Sequence, residues 1–275
     1  HLTLQNYLEK HKYSDYFVRN YIVPLGASIW SARADRFLAF PLRFLVAFLQ
    51  NHGLLQVRDR PQWYTIRGGA KRYVEAMTRP FTTSIRTACP IDRVNRFADG
   101  VRLHTSDGDA LGFDRVIFAT HADTTLRLLS DPTEEETEIL SQFEYQQNDA
   151  ILHTDRSWMP KRPRAWASWN YHVSNLQKNP VSLTYDVNHL QKLGCSQPLC
   201  VTLNPTRPIA DSFVIKRMTY RHPVFSVGTI STQKRYKEIN GKHNSFFCGA
   251  YWGFGFHEDG VRSGLAVAEL FGKAL

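Results

Sequence analysis

Only four cysteines occur in the 275 residues, Cys89, Cys195, Cys200 and Cys248, and none stands in a Cys-x-x-Cys pair. That spacing excludes a dithiol redox motif and the usual zinc knuckle, no metal site is expected, and free thiols fit a reducing compartment. Long apolar runs are missing too. The best candidate, Phe37 to Leu49, is broken by Pro41 and Arg43, so nothing reaches the run of about 18 apolar residues that spans a bilayer. There is no internal repeat and no long polar stretch of the disordered kind. The opening residues do not read as a secretory leader, so a cytoplasmic location is expected, with a peripheral position at a membrane as the variant. The opening at His1, without Met and directly in a helical pattern, reads as a cut chain.

What is there is a basic, aromatic chain. The 34 Lys and Arg against 25 Asp and Glu leave a formal charge of +9, which favours anionic partners such as lipid headgroups, phosphates or nucleic acid without choosing among them. The positive residues are scattered, with no tract resembling a nucleic-acid arm, so a nucleic-acid partner is not expected. Hydrophobic residues at 43% suffice for a folded core, and the length admits one large domain or two interleaved ones.

Thr3 and Ser14 are placed to cap helices, and Pro41 to Asn51 reads as a buried helix ending at Gly53, so the first 55 residues are mostly helical. Gln62 to Ile66 reads as a strand, Gly68-Gly69 as a turn and Ala70 to Thr78 as a helix. Ile85 to Val94, Gly100 to Thr105 and Gly112 to Ala119 read as a meander joined by Asp-Gly turns, its last apolar run feeding a helix after Thr120-His121. Thr133 caps an acidic helix, Glu134 to Phe143, whose glutamates read as a solvated face. Ala150 to Tyr171, Val181 to Leu183 and Leu199 to Leu203 suggest a second sheet. His52, His121, His153 and His222 read as hydrogen-bonded core or turn residues. Trp166 and Trp169 could be core or a substrate cage.

The stretch from Phe247 to Gly264 carries the most chemistry. A strand ends in glycines that permit close approach of a ligand, and a helix follows whose first N–H groups and dipole end receive negative charge. Glu258 and Asp259 suit that dipole on structural grounds alone. Gly253, Gly255 and Gly260 do not make a dinucleotide fingerprint, because Glu258 occupies the third glycine position and no acidic residue follows at ribose spacing.

This stretch resembles the C-terminal flavin motif of the flavin-containing amine oxidase superfamily. Together with Ala27 to Ala32, Asn51 to Leu55, Arg60 to Trp63, His153-Thr154-Asp155, Trp166 to Tyr171 and Gly255 to Gly260, it makes nearly the whole chain similar to bacterial-type amine-oxidase-like proteins predicted to bind NAD or FAD. The resemblance implies an α+β (α/β) fold, the C-terminal part of a two-domain FAD-dependent enzyme. FAD-domain pieces at 64–132 and 241–275 would alternate with a substrate domain at 1–63 and 133–240. It implies a hydride transfer from an apolar amine or lipid-like substrate to FAD. It further implies that Gly255, Phe256, His257 and Glu258 meet the flavin ring, chiefly through the backbone of His257. Gly249 and Ala250 would lie near the ribityl chain, Ile91 at adenine, and Ala119 and Thr120 near the diphosphate. Trp166 and Trp169 are the substrate candidates; no catalytic side chain is identified.

Family members begin with a strand, Gly-x-Gly-x-x-Gly and a helix, absent from these residues. An N-terminal FAD-binding portion is therefore expected in cis or in trans; otherwise the chain is a non-catalytic fragment or a basic lipid- or protein-binding module on the same scaffold. The lysine that some members hold near the flavin has no counterpart between Tyr145 and Ile151, where Asn148 and Asp149 stand.

Overall fold

The computed structural model describes residues 2–172 and 182–273. Its α-helices are α1 (Leu4–Lys10), α2 (Asp15–Phe17), α3 (Val23–Trp30), α4 (Ala34–Leu38), α5 (Leu42–Asn51), α6 (Lys71–Thr78), α7 (Ala122–Leu128), α8 (Glu134–Leu140), α9 (Val187–Gln191), α10 (Val227–Gln233), α11 (Tyr236–Ile239) and α12 (His257–Leu270). The strands are β1 (Ile91–Phe97), β2 (Gly100–Thr105), β3 (Ala110–Phe113), β4 (Val116–Phe118), β5 (Glu144–His153), β6 (Trp169–His172), β7 (Ser182–Asp186), β8 (Cys200–Leu203), β9 (Val214–Val224) and β10 (Ser245–Phe247). The chain divides into two compact units, each built from two segments: residues 1–82 with 146–222, and residues 83–145 with 223–275.

In the first unit, Thr3 Oγ1 and Ser14 Oγ accept the amide protons of Asn6 and Phe17, capping α1 and α2 as expected. A π-helical stretch, Val18–Ile22, joins α2 to α3. The helical core is aromatic: the ring of Trp30 lies 4.7 Å from Phe48 and 5.1 Å from Phe40. Gly26 makes this possible, because a Cβ there would lie 1.8 Å from the Phe37 ring. Helix α5 buries Phe44, Leu45, Phe48 and Leu49, one stripe at helical spacing. The sheet of this unit has the order β6-β7-β8-β5-β9, with the β6–β7, β7–β8 and β8–β5 pairs antiparallel.

Three expectations need correction here. Residues Gln62 to Ile66 form no strand; Tyr64 is 90% exposed, and no strand pairs with it. Strand β9 was not foreseen, because Lys216, Arg217, Arg221 and Pro223 obscure its alternation; as an edge strand it tolerates charge and proline that a central one would not. The expected strand Val181 to Leu183 begins at Val181, outside the described residues, and β7 runs from Ser182 to Asp186.

In the second unit β1, β2 and β3 form an antiparallel meander, and β4 pairs with β10 in parallel. The single strand expected over Gly112 to Ala119 is thus two strands in different sheets, and the first meander strand starts at Ile91, after Pro90. One core holds Val94 and Val101 of the meander, Phe118 and Phe247 of the parallel pair, and Ile139, Leu140 and Phe143 from α8 and its end. The α8 glutamates are not all solvated. Glu136 is 1% exposed and takes two hydrogen bonds from Arg96, at 2.6 and 2.9 Å. Burial opposes the Arg96 charge, yet Glu136 and Asp131 more than offset this and raise its pKa.

The unit boundaries fall at 82/83, 145/146 and 222/223. Helix α8 belongs to the second unit because Ile139 and Leu140 complete its core. Helix α10 belongs there because Gln233 Nε2 donates to the carbonyls of Tyr251 and Gly253, at 2.8 and 2.6 Å. Composition shifts mark neither junction.

Candidate functional site

The residues from Phe247 to Gly264 are held by their own chain and by α10. Strand β10 ends beside β4: Phe247 pairs with Phe118, and Cys248 N donates to Phe118 O at 2.9 Å. The carboxyl ends of two parallel strands therefore lie together, and Ala119 and Thr120 leave one as Cys248, Gly249 and Ala250 leave the other. Open α/β sheets offer ligand crevices at such ends. After Gly249 the chain makes one tight turn, Ala250–Trp252, and Gly255 at φ +95° redirects it into α12.

Four hydrogen bonds lock this turn. Ser263 Oγ accepts the Gly249 amide at 2.8 Å and donates to Gly260 O at 2.9 Å. Gly255 N donates to Ala250 O at 3.1 Å. Asp259 Oδ2 accepts the Phe256 amide at 3.0 Å, closing the start of α12. Gly253 is required by the same contact, because a Cβ there would lie 2.2 Å from Asp259 Oδ1. Phe256, His257 and Glu258 are exposed, as are Ala119 and Thr120. Tyr251 is buried beneath, and burial pushes its hydroxyl well above the ordinary range.

The structure thus brings seven expected positions onto the strand ends and the start of one helix: Gly249, Ala250, Ala119 and Thr120 at the strand ends, and Gly255, Phe256 and His257 at the helix. Glu258 follows in the first turn. Ile91 is elsewhere in the same unit, at the start of β1, where it pairs with Thr105. Trp166 and Trp169 are in the first unit and are not core. Trp166 Nε1 donates to Pro160 O at 2.8 Å, with Arg156 over its ring, whereas Trp169 stands edge-on to Tyr185. The fully buried tryptophan is Trp158. Ser263 and Gln233 were missed: the serine looks like an ordinary helix residue, and Gln233 lies about 20 residues from the carbonyls it serves, beyond any local pattern. Asn148, at the position searched for a lysine, is buried; its Oδ1 accepts from Gln146 and Asn204, and its Nδ2 meets His222 Nδ1 at 2.9 Å. No group of three metal-ligating side chains occurs among the described residues.

The backbone at the β10–α12 turn offers a cradle of the right kind for a flat, anionic cofactor: an exposed end of β4 and a half-buried end of β10 beside the positive end of a 14-residue helix. A profile of flavin containing amine oxidoreductases matches residues 11–186. The chain belongs to that family. Solved structures agree on the fold. A fatty acid isomerase from P. acnes superposes with a TM-score of 0.64 at 14% identity, over 98% of this chain and 66% of that one. A reduced UDP-galactopyranose mutase gives 0.63 at 11% identity, over 98% and 68%. Cyclohexylamine oxidase from Brevibacterium oxydans IH-35A gives 0.60 at 11% identity, over 98% and 68%. The chain spans about two thirds of the length of these proteins. No curated protein matches it in sequence. The profile match ends before β10, so the cradle rests on the geometry and on the fold.

Proposed function

We propose that this chain is the flavin-ring portion of an FAD-dependent oxidoreductase, working with a diphosphate-binding portion supplied in cis or in trans. One observation carries the reading: the ends of β4 and β10 and the start of α12 form a partly exposed backbone cradle held by Ser263, Asp259 and Gln233. Gly255, Phe256, His257 and Glu258 would hold the ring, Gly249 and Ala250 the ribityl chain, and Ala119, Thr120 and Ile91 the rest of the nucleotide. Bound FAD would supply the redox chemistry by accepting a hydride. The chain's share is orientation, exclusion of water and the helix dipole, which favours negative charge developing at its N-terminus. Incubation with FAD and desalting tests this: retained flavin absorbance supports the reading. A colourless chain that also stays colourless with its N-terminal partner would leave the non-catalytic module.

The substrate proposed is an apolar amine or lipid-like molecule, with Trp166 and Trp169 as its aromatic contacts. Val57, Trp63 and Tyr64 are 88%, 59% and 90% exposed, and Arg58, Arg60 and Arg67 lie among them. That mixture of aromatic and positive groups supports a protein that visits an anionic membrane surface. Among the described residues no helix is long and apolar enough to cross a membrane. Failure to sediment with anionic vesicles at low salt would count against the surface reading.

A further inference from the structure

One face of the five-stranded sheet carries a continuous polar row. His172 Nε2 lies 2.8 Å from Thr184 Oγ1, Thr184 Oγ1 lies 2.8 Å from Thr202 Oγ1, and Thr202 Oγ1 lies 2.7 Å from His153 Nε2. The row crosses β6, β7, β8 and β5 in turn. Thr184, Thr202 and His153 are fully buried. Its direction follows from one backbone group. The Asp155 amide donates to His153 Nδ1 at 3.1 Å, so the proton of a neutral His153 sits on Nε2 and is donated to Thr202. Among the described residues neither threonine hydroxyl has another acceptor; Thr202 donates to Thr184, and Thr184 donates to His172 Nε2. His172 is then an acceptor at Nε2 and carries its proton on Nδ1.

We propose that this row is an acid-sensitive latch on strand β6: protonation of His172 at Nε2 removes the acceptor on which the row ends and frees the edge of the sheet. The row cannot reverse to accommodate the extra proton, because His153 would have to accept at Nε2 while already accepting at Nδ1. Charge adds to the effect. Trp158 stands edge-on to His172 at 5.2 Å, and the Arg207 guanidinium lies 4.6 Å over Trp158, anchored on Ser157 O at 2.6 Å. Burial, then Arg207, lowers the His172 pKa; burial lowers that of His153 against an opposing effect of Asp155. Asp186 and Cys200 are the other ionisable groups at the His153 end, and the Cys200 thiol is pushed up to about 11, chiefly by burial. The folded imidazoles bind protons less readily than unfolded ones. The contribution is therefore complete above the unfolded value of about 6.5 and is lost as pH falls toward the lowered folded values. Strand β6 is the element released because, among the described residues, it lies at the edge of the sheet with β7 as its one strand partner.

Histidine nitrogen-15 spectra of the full chain, with amide exchange followed from pH 7 to 5, test the latch. The expected spectra show His153 as the Nε2–H tautomer and His172 as Nδ1–H at neutral pH. Exchange in β6, corrected for its intrinsic pH dependence, should accelerate by about tenfold for each unit by which the His172 titration is held down. Thr184→Val, which keeps the shape and removes the hydroxyl, should move the His172 titration up and shrink that acceleration. A neutral His172 found as Nε2–H overturns the proposal without any variant, and so does an acceleration that Thr184→Val leaves unchanged.

Discussion

Glu136 shows how far one side chain can depart from its sequence neighbourhood. Among three consecutive glutamates it alone is buried, because α8 turns it toward Arg96, a residue 40 positions earlier. Both side chains are 2% exposed, so removing Glu136 leaves the buried Arg96 guanidinium with only the Asp131 carboxylate and carbonyl as acceptors among the described residues. Glu136→Ala is expected to destabilise the second unit by about 3–5 kcal/mol, read from urea unfolding; a loss below about 1 kcal/mol would mean that the site relaxes or admits water. Cysteine reactivity separates in the same way by burial. Cys195 is exposed, Cys89 intermediate, and Cys200 and Cys248 buried with raised pKa. Alkylation at pH 8 should modify Cys195 first and spare Cys200 and Cys248 until the chain unfolds. Mass spectrometry of the labelled peptides checks the order.

At the scale of elements, caps were legible because their chemistry is local. Thr133 accepts the Glu136 amide at 3.1 Å and Glu136 returns the contact to the Thr133 amide at 2.9 Å. Thr133→Ala should cost about 1 kcal/mol. Strand identity was less legible. Strand β9 alternates poorly yet pairs at an edge, whereas Gln62 to Ile66 alternates like a strand and pairs with none among the described residues. The β10–α12 turn lies between these cases: its glycines announced a close approach, but the groups that fix it, Ser263 and Gln233, come from one helix turn and one distant helix. Ser263→Ala should lower the stability of the second unit by about 1 kcal/mol by leaving the Gly249 amide unpaired. If the cradle holds flavin, the same change should also weaken retention of FAD, measured by absorbance after desalting.

Across the whole molecule, each compact unit needs both of its segments. A fragment ending at Tyr145 would hold β4 without β10 and the N-terminal helices without the five-stranded sheet, so neither unit would be complete. Such a fragment is expected to lack the cooperative unfolding transition of the full chain in circular dichroism. A fully cooperative transition in it would show that the divided cores are not interdependent. Periodicity, caps and turn glycines were enough to read the helical opening, the outline of the meander and the strand–glycine–helix end, because those signals are carried by residues close in sequence; the family resemblance was carried by whole motifs instead. Tertiary structure alone decided the buried Arg96–Glu136 pair, the unit boundaries, the edge position of β9 and the row from His172 to His153. Each depends on which distant segments share a core or a sheet, and hydrophobic burial and hydrogen-bond pairing settle that only when the chain has folded.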